Sequence, residues 1–426
     1  MLTPYKFQRI KYTILDLKVL DYWYVGGFFL NINNIVNIQP EKIDSAIEVA
    51  LKTIDLLLED FTYRFPGTFT KNNIYKLREA STEDETVESF EEGDNFGWTT
   101  AFWTGMLWLA YELTGKSKYR NAAEIHLKSF EERIKLNLDV NTHDLGFLYT
   151  LSNVSAYKLT KNSLARETAL KASNYLMKRY LSNCEIIQAH GSLNDIKNQG
   201  KTLIDCMMNL PLLYWSSEQT QNEKYYESAY NHAQKTLKYF IREDGSTYHT
   251  FYFDYDTGKP RYGETLQGYS NESAWARGQS WGIYGFILSY AYTKDINFLN
   301  IAKTLSNYYL DRLPKDFVAY WDLIFDDNSG EEKDSSSAAI TVCGLMELSK
   351  WVQCEEEKIY YTNKYNSILE SLIDNYSNKD LNSNSLLKHG VFFKKLNKGV
   401  NEASLYGDYF YLEALVRKKL QWEKYW

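Results

Sequence analysis

From about residue 41 onward the chain alternates between two kinds of helical segment, and that alternation restricts its possible folds more than any other property. Six segments, roughly 41–63, 117–137, 162–182, 221–241, 296–313 and 357–376, are amphipathic, with their charges gathered on one face. In 117–137, Tyr119, Ala122, Ala123, His126 and Leu127 recur at i, i+3, i+4 spacing with charged residues between them. Six others, roughly 97–115, 144–160, 202–217, 272–293, 335–353 and 404–421, are apolar nearly all round and rich in Gly, Ala, Ser and aromatics. A helix apolar on every side has to be buried on every side. Placing the apolar set inside and the amphipathic set outside accounts for every face, which predicts an all-α fold, an (α/α)6 barrel. A solenoid of helical hairpins alternates in the same way but needs a near-constant period, whereas the buried segments here recur at intervals of roughly fifty to seventy residues. Strand-like alternation is nearly absent. Of the prolines, Pro4, Pro40, Pro66 and Pro260 fall in termini or connections, while Pro211 lies inside the 202–217 run and is expected to kink it or mark its first half.

Residues 41–426 thus read as one barrel domain, preceded by an extension of unassigned role over residues 1–40. Lys6, Arg9 and Lys11 precede an apolar run there, but Asp16, Lys18 and Asp21 interrupt it, so it fits neither a signal peptide nor a membrane span. A formal net charge of -7 argues against nucleic acid or an anionic membrane as partner, though local cations can still hold an acidic ligand. Cys184, Cys206, Cys343 and Cys354 are scattered, with no CxxC pair and no Cys/His ligand spacing. Free thiols in a reducing, cytoplasmic compartment are expected, with no metal and no organic cofactor, in a monomer or homodimer.

The apolar segments share one peculiarity: polar and aromatic residues cluster at their N-terminal ends. The first opens on Asp94-Asn95-Phe96-Gly97-Trp98, with Phe102 one turn on. The second opens on His143-Asp144, and the third on Thr202, Asp205 and Asn209. The fourth reads as a helix from Ser270, with Arg277 and Trp281 one turn apart on the same side as Ser273 and Ser270. The fifth begins Asp334-Ser335-Ser336-Ser337. In an alternating barrel all inner helices run the same way, so these ends converge on one mouth, where free N–H groups and helix dipoles favour anions. Arg277 beside Trp281 suits an anionic, flat-faced ligand such as an acidic sugar. A buried arginine paired with a carboxylate is the alternative. Asp144 and Asp205 each fit a helix-terminal acid as well. Two such acids opening successive apolar helices near Trp98, Phe102, His143 and Asn209 instead suggest a carboxylate pair kept at different protonation states by desolvation and repulsion. His249 and Gln267 lie in the long connection before the Trp275 segment, where loops carry function.

Taken together, six separated motifs occurring in order resemble the unsaturated glucuronyl hydrolase family, glycoside hydrolase family 88. They are Trp98-Thr99-Thr100-Ala101-Phe102-Trp103; His143-Asp144-Leu145-Gly146-Phe147; Thr202 through Leu210; Gln267-Gly268-Tyr269-Ser270 leading into Trp275-Ala276-Arg277-Gly278-Gln279; Tyr320-Trp321-Asp322 followed by Ser336-Ser337-Ala338-Ala339; and Gly407 through Leu415. The resemblance implies an (α/α)6 barrel that cleaves lyase-generated disaccharides or short oligosaccharides carrying a 4,5-unsaturated uronic acid. The implied reaction is hydration of the C4=C5 enol ether: protonation at C4, addition of water at C5, and collapse of the hemiketal with release of the second sugar. By the same resemblance Asp205 is the general acid/base and Asp144 the second essential aspartate. Trp98, Phe102, His143, Thr202, Asn209, His249, Gln267, Trp275, Arg277, Trp281 and Lys398 are implied to bind substrate. A Ser-x-x-Ser-x-Lys pattern found in members that accept sulfated substrates is reduced here to Phe393-Lys394-Lys395-Leu396-Asn397-Lys398, which keeps the lysine and lacks both serines. His190 stands where an aromatic contacting the second sugar is expected. Two alternatives remain open: a related unsaturated rhamnogalacturonyl hydrolase acting on pectin fragments, and a non-catalytic helical sugar-binding or scaffold protein.

Overall fold

The computed structural model describes residues 35–80, 90–379 and 382–426, and, as backbone only, three short antiparallel strands, β1 (Gln8–Ile10), β2 (Tyr22–Val25) and β3 (Phe28–Asn31). The rest of the expected 1–40 extension lies outside the described residues. Its last few residues belong to the barrel. Ile38 is buried, and the backbone of Val36 bonds to Asn363 and Asn366 of an outer helix.

The outer ring consists of α1 (Pro40–Phe61), α3 (Ser117–Lys135), α6 (Ser163–Lys178), α8 (Glu223–Tyr239), α10 (Ile296–Leu310) and α12 (Glu355–Ser371). The inner ring is α2 (Thr100–Thr114), α4 (Leu145–Tyr149) continued as α5 (Ser155–Thr160), α7 (Leu210–Thr220), α9 (Ala276–Thr293), α11 (Ser335–Trp351) and α13 (Leu405–Lys419). A π-helical turn, Thr150–Val154, joins α4 to α5. Successive inner helices touch all the way round, and α13 packs back on α2. That last contact closes the ring and excludes an open solenoid.

Inner helices pass to outer ones through tight turns. Gly115, Lys161, Gln221 and Lys294 end α2, α5, α7 and α9 in the left-handed conformation, and Asn162, Asn222 and Asp295 then cap α6, α8 and α10 with their side chains. The return connections are long and all lie at the end where inner helices begin. They carry short strands that the helical reading did not foresee: β4 (Tyr180–Leu181) with β5 (Ile186–Ile187), a sheet of β6 (Lys201–Leu203), β7 (Thr250–Phe253) and β8 (Pro260–Glu264), and β9 (Gly390–Phe393) with β10 (Lys398–Glu402). One end of the barrel is therefore trimmed, and the other is a built rim.

Two segment boundaries differ from expectation. The 202–217 run is not one helix: Thr202 and Leu203 are in β6, Ile204–Met208 form a 3₁₀ turn, and α7 starts at Leu210 with Pro211 in its first turn. Proline is tolerated there because its missing N–H would have had no helical partner. Helix α9 starts at Ala276, capped by Trp275, so Ser270 and Ser273 do not share a helical face with Arg277. They form a preceding turn, in which the Ser270 N–H donates to Ser273 Oγ at 2.9 Å. No helix among the described residues is long and apolar enough to cross a membrane.

Candidate active site

Asp144 stands at the N-cap position of α4 without a capping bond from its side chain, and Asp205 sits in the 3₁₀ turn before α7, so neighbouring inner helices present both carboxylates at the mouth. Asn209 ties them together. Its Oδ1 accepts the Phe147 N–H at 2.7 Å, while its Nδ2 lies 3.5 Å from Asp144 Oδ1 and 3.3 Å from the Asp205 carbonyl. This close approach needs Gly146, because a Cβ there would fall 2.3 Å from the Asn209 Cα. Each aspartate side chain keeps 15% exposure.

The two acids are held differently. Asp144 accepts the Thr142 hydroxyl at 2.9 Å, and His143 Nε2 stands 3.4 Å away. Burial raises its pKa, opposed by the hydrogen bonds from the Thr142 and Asn209 side chains. Asp205 receives no comparable side-chain donors. Its Oδ2 is buried without a hydrogen-bond partner, 3.7 Å from His249 Nε2. Burial, reinforced by the charge of Asp144, pushes Asp205 up to about 7, with Arg277 opposing. Burial thus raises both carboxylates, and Asp205, which lacks the donors that Asp144 has, carries a proton near neutrality.

The surrounding imidazoles stay neutral. Burial takes His143 and His249 down to about 3 and His190 to about 4, assisted at His143 by Arg179 and Lys201, and at His249 by Lys201 and Arg277. His249 directly precedes β7, with Nδ1 3.0 Å from the Thr250 hydroxyl and its ring edge-on to Trp275 at 4.9 Å. The described imidazoles and carboxylates nowhere gather three metal-ligating side chains.

An aromatic cluster gathers around Phe147, three residues on from Asp144. Half-buried Trp98 stacks on Tyr406 at 5.2 Å and 23°, and meets Phe102 edge-on at 5.8 Å. Phe147 contacts Trp98, Phe102 and Trp281. Phe102 and Trp281 are fully buried, so they form the floor beneath Trp98. Tyr406 and Phe147 were not singled out from the sequence. Phe147 stands within a quoted motif, and Tyr406 immediately precedes the one that begins at Gly407.

Arg277 needs correction. The buried arginine with a carboxylate partner is what the structure contains: Nη1 donates to Asp334 Oδ2 at 3.1 Å and to the Val391 carbonyl, and Nη2 to the Phe392 carbonyl at 2.7 Å and Gln267 Oε1 at 3.3 Å. It is 1% exposed, with its guanidinium over Trp275 and Tyr406. Its charge reaches Asp205 through space, and its geometry fixes Gln267, Trp275 and the β9 edge. Trp281, one turn on, belongs to the buried floor and packs on Phe147 and Phe410. Thr202 is likewise fully buried, in β6, and donates its hydroxyl to the Ile187 carbonyl at 2.8 Å. Lys398 is exposed at the start of β10, whereas Lys394 is engaged by Glu331 and Glu332. The two aspartates come together at the mouth through Asn209, whereas Arg277 and Trp281 of α9 are buried, Arg277 as a support for Gln267 and Trp275.

A closed helical barrel whose mouth brings two buried carboxylates together, one of them pushed up to about 7, suits acid/base chemistry. The chain belongs to Glycosyl Hydrolase Family 88, whose sequence pattern matches residues 72–413. It is 43% identical over 391 residues to an unsaturated chondroitin disaccharide hydrolase of Streptococcus pyogenes serotype M1, covering 91% of this chain and 94% of that protein. The crystal structure of unsaturated glucuronyl hydrolase from Streptococcus agalactiae matches with a TM-score of 0.86 and 41% identity, over 93% of this chain and 98% of that one. A mutant of that enzyme complexed with dGlcA-GalNAc6S matches with a TM-score of 0.79 and 40% identity, over 93% and 96% of the two chains.

Proposed function

We propose that this glycosidase releases 4,5-unsaturated glucuronic acid from glycosaminoglycan-type disaccharides by hydrating the C4=C5 enol ether. The carrying observation is the unpartnered, buried Oδ2 of Asp205, on an acid pushed up to about 7, facing a neighbouring carboxylate that accepts donors from Thr142 and Asn209. Protonated Asp205 gives its proton to C4. Water adds to C5, and the Asp205 carboxylate takes a proton from it, so the acid is regenerated and the net change is addition of one water. The C5 hemiketal then opens, leaving at C1 an open hemiacetal that expels the second sugar. Asp144, Asn209 and neutral His143 hold ring hydroxyls, and the Trp98–Tyr406 stack supplies a flat face for the conjugated ring. The four free thiols fit a reducing, cytoplasmic setting, where imported disaccharides are the substrate.

Incubation with unsaturated chondroitin or hyaluronan disaccharide is expected to erase the ultraviolet absorbance of the enol ether. Loss with the pectin-derived disaccharide alone would select the rhamnogalacturonyl reading, and loss with none would leave a binding protein. The pH profile is a second check. Ionised Asp205 cannot protonate C4, and the ionised form accumulates above its pKa, so kcat/KM is expected to fall tenfold per unit well above about pH 7. The imidazoles, already neutral above about pH 4, contribute no further limb between pH 5 and 8. A rate flat to pH 9 would remove Asp205 as the acid.

A further inference from the structure

Residues 420–426 do not trail from α13 into solvent. They cross the barrel end opposite the mouth, and each anchor lies near the C-terminal end of an inner helix. Trp422 Nε1 donates to Glu112 of α2 at 2.9 Å, and Tyr425 Oη donates to the same carboxylate. Lys158 of α5 reaches the Lys424 carbonyl at 2.7 Å, and Lys424 Nζ meets Glu347 of α11 at 3.1 Å. The strap ends by turning Trp426 up the barrel axis. That indole is 1% exposed, stacks on Phe410 at 5.8 Å and 10°, and donates from Nε1 to Glu413 at 2.9 Å.

Above it, Trp426 meets Phe147 edge-on at 6.0 Å and 86°. Phe147 is the residue whose N–H fixes Asn209, and Asn209 in turn reaches Asp144 Oδ1 and the Asp205 carbonyl. A continuous packed and hydrogen-bonded path therefore joins the bottom of the barrel to the Asp144 carboxylate and to the backbone that carries Asp205. Interiors packed this densely transmit displacement rather than absorb it. The Phe147 ring has Trp98, Phe102 and Trp281 on its other sides, so Trp426 closes the one cage that sets its depth.

We propose that Trp426 is a positioning residue for the aspartate pair, acting through Phe147 and Asn209. The assignment rests on the hydration reading for its kinetic readout and on hydrogen exchange for one independent of it. With Trp426→Ala, kcat on unsaturated chondroitin disaccharide is expected to fall about tenfold or more while KM changes little, since small misplacements of reacting groups are costly in rate. Exchange at the peptide spanning residues 143–149 is expected to accelerate. Trp426→Phe keeps a ring on Phe410 and is expected to recover most of the rate. Trp422→Ala loosens the strap at Glu112 without touching Phe147. It is expected to lower Tm while leaving kcat per folded enzyme and 143–149 exchange unchanged. The proposal fails if Trp426→Ala retains kcat within twofold, or if Trp422→Ala loses as much as Trp426→Ala. Should wild-type enzyme be inactive on every unsaturated disaccharide, the functional reading fails alone, and unaltered 143–149 exchange in both Trp426 variants would still refute the linkage.

Discussion

Asp205→Asn is expected to lower turnover by about 10²- to 10⁴-fold while unsaturated disaccharide still binds. The amide is nearly isosteric with the acid, so the 3₁₀ turn and the Asn209 bond to the Asp205 carbonyl both persist. What disappears is a proton donor poised near neutrality. A carboxylic acid at about 7 holds its proton at working pH yet gives it up to an enol ether; an amide does not. Rates are followed through the enol-ether absorbance, and affinity through equilibrium binding of the intact disaccharide to the variant. Rates within tenfold of the parent would transfer the acid role to another group. A variant that neither binds nor turns over would show that Asp205 holds the sugar rather than protonating it.

Arg277→Met is expected to destabilise the fold by about 3–5 kcal/mol, because it leaves a buried carboxylate without its cation. Asp334 is 0% exposed, and the substitution also strips the Val391 and Phe392 carbonyls of their donor. Denaturant unfolding measures the loss, and the double variant Arg277→Met, Asp334→Asn is expected to recover much of it by removing the stranded charge. A second consequence has the opposite flavour. The charge of Arg277 is the larger of the two influences that hold Asp205 down, so in the single variant the alkaline limb is expected to move to higher pH in whatever fraction remains folded. A stability change under 1 kcal/mol would mean that Asp334 finds another partner. An unmoved limb would mean that the charge of Arg277 does not reach the acid.

Much of this site could be read along the chain. Asp144, Asp205, Asn209 and Trp98 open apolar helices, and a helix apolar on all sides has nowhere to lie except an inner ring whose like ends meet. The raised pKa of Asp205 was foreseeable for the same reason: two acids at adjacent inner ends share one desolvated space. Other residues misled because the local signal has two readings. Arg277 one turn from Trp281 looks like a ligand-facing patch on a helical wheel. Only its partner Asp334, 57 positions away and itself capping α11, turns it inward. Thr202 looked like the start of a helix because the apolar run is continuous. Pairing with β7, an inter-strand contact with no footprint in helical periodicity, took it into a sheet instead.

Residue pattern by itself determined which helices are inner, which ends face the mouth and which acids stand there, since apolar periodicity dictates burial and burial orders the ring. Tertiary structure decided what each acid does. Protonation depends on distances to donors and charges drawn from several elements: Thr142 and Asn209 at Asp144, and neither at the carboxylate of Asp205. Such distances are properties of the closed barrel, and no stretch of chain carries them alone.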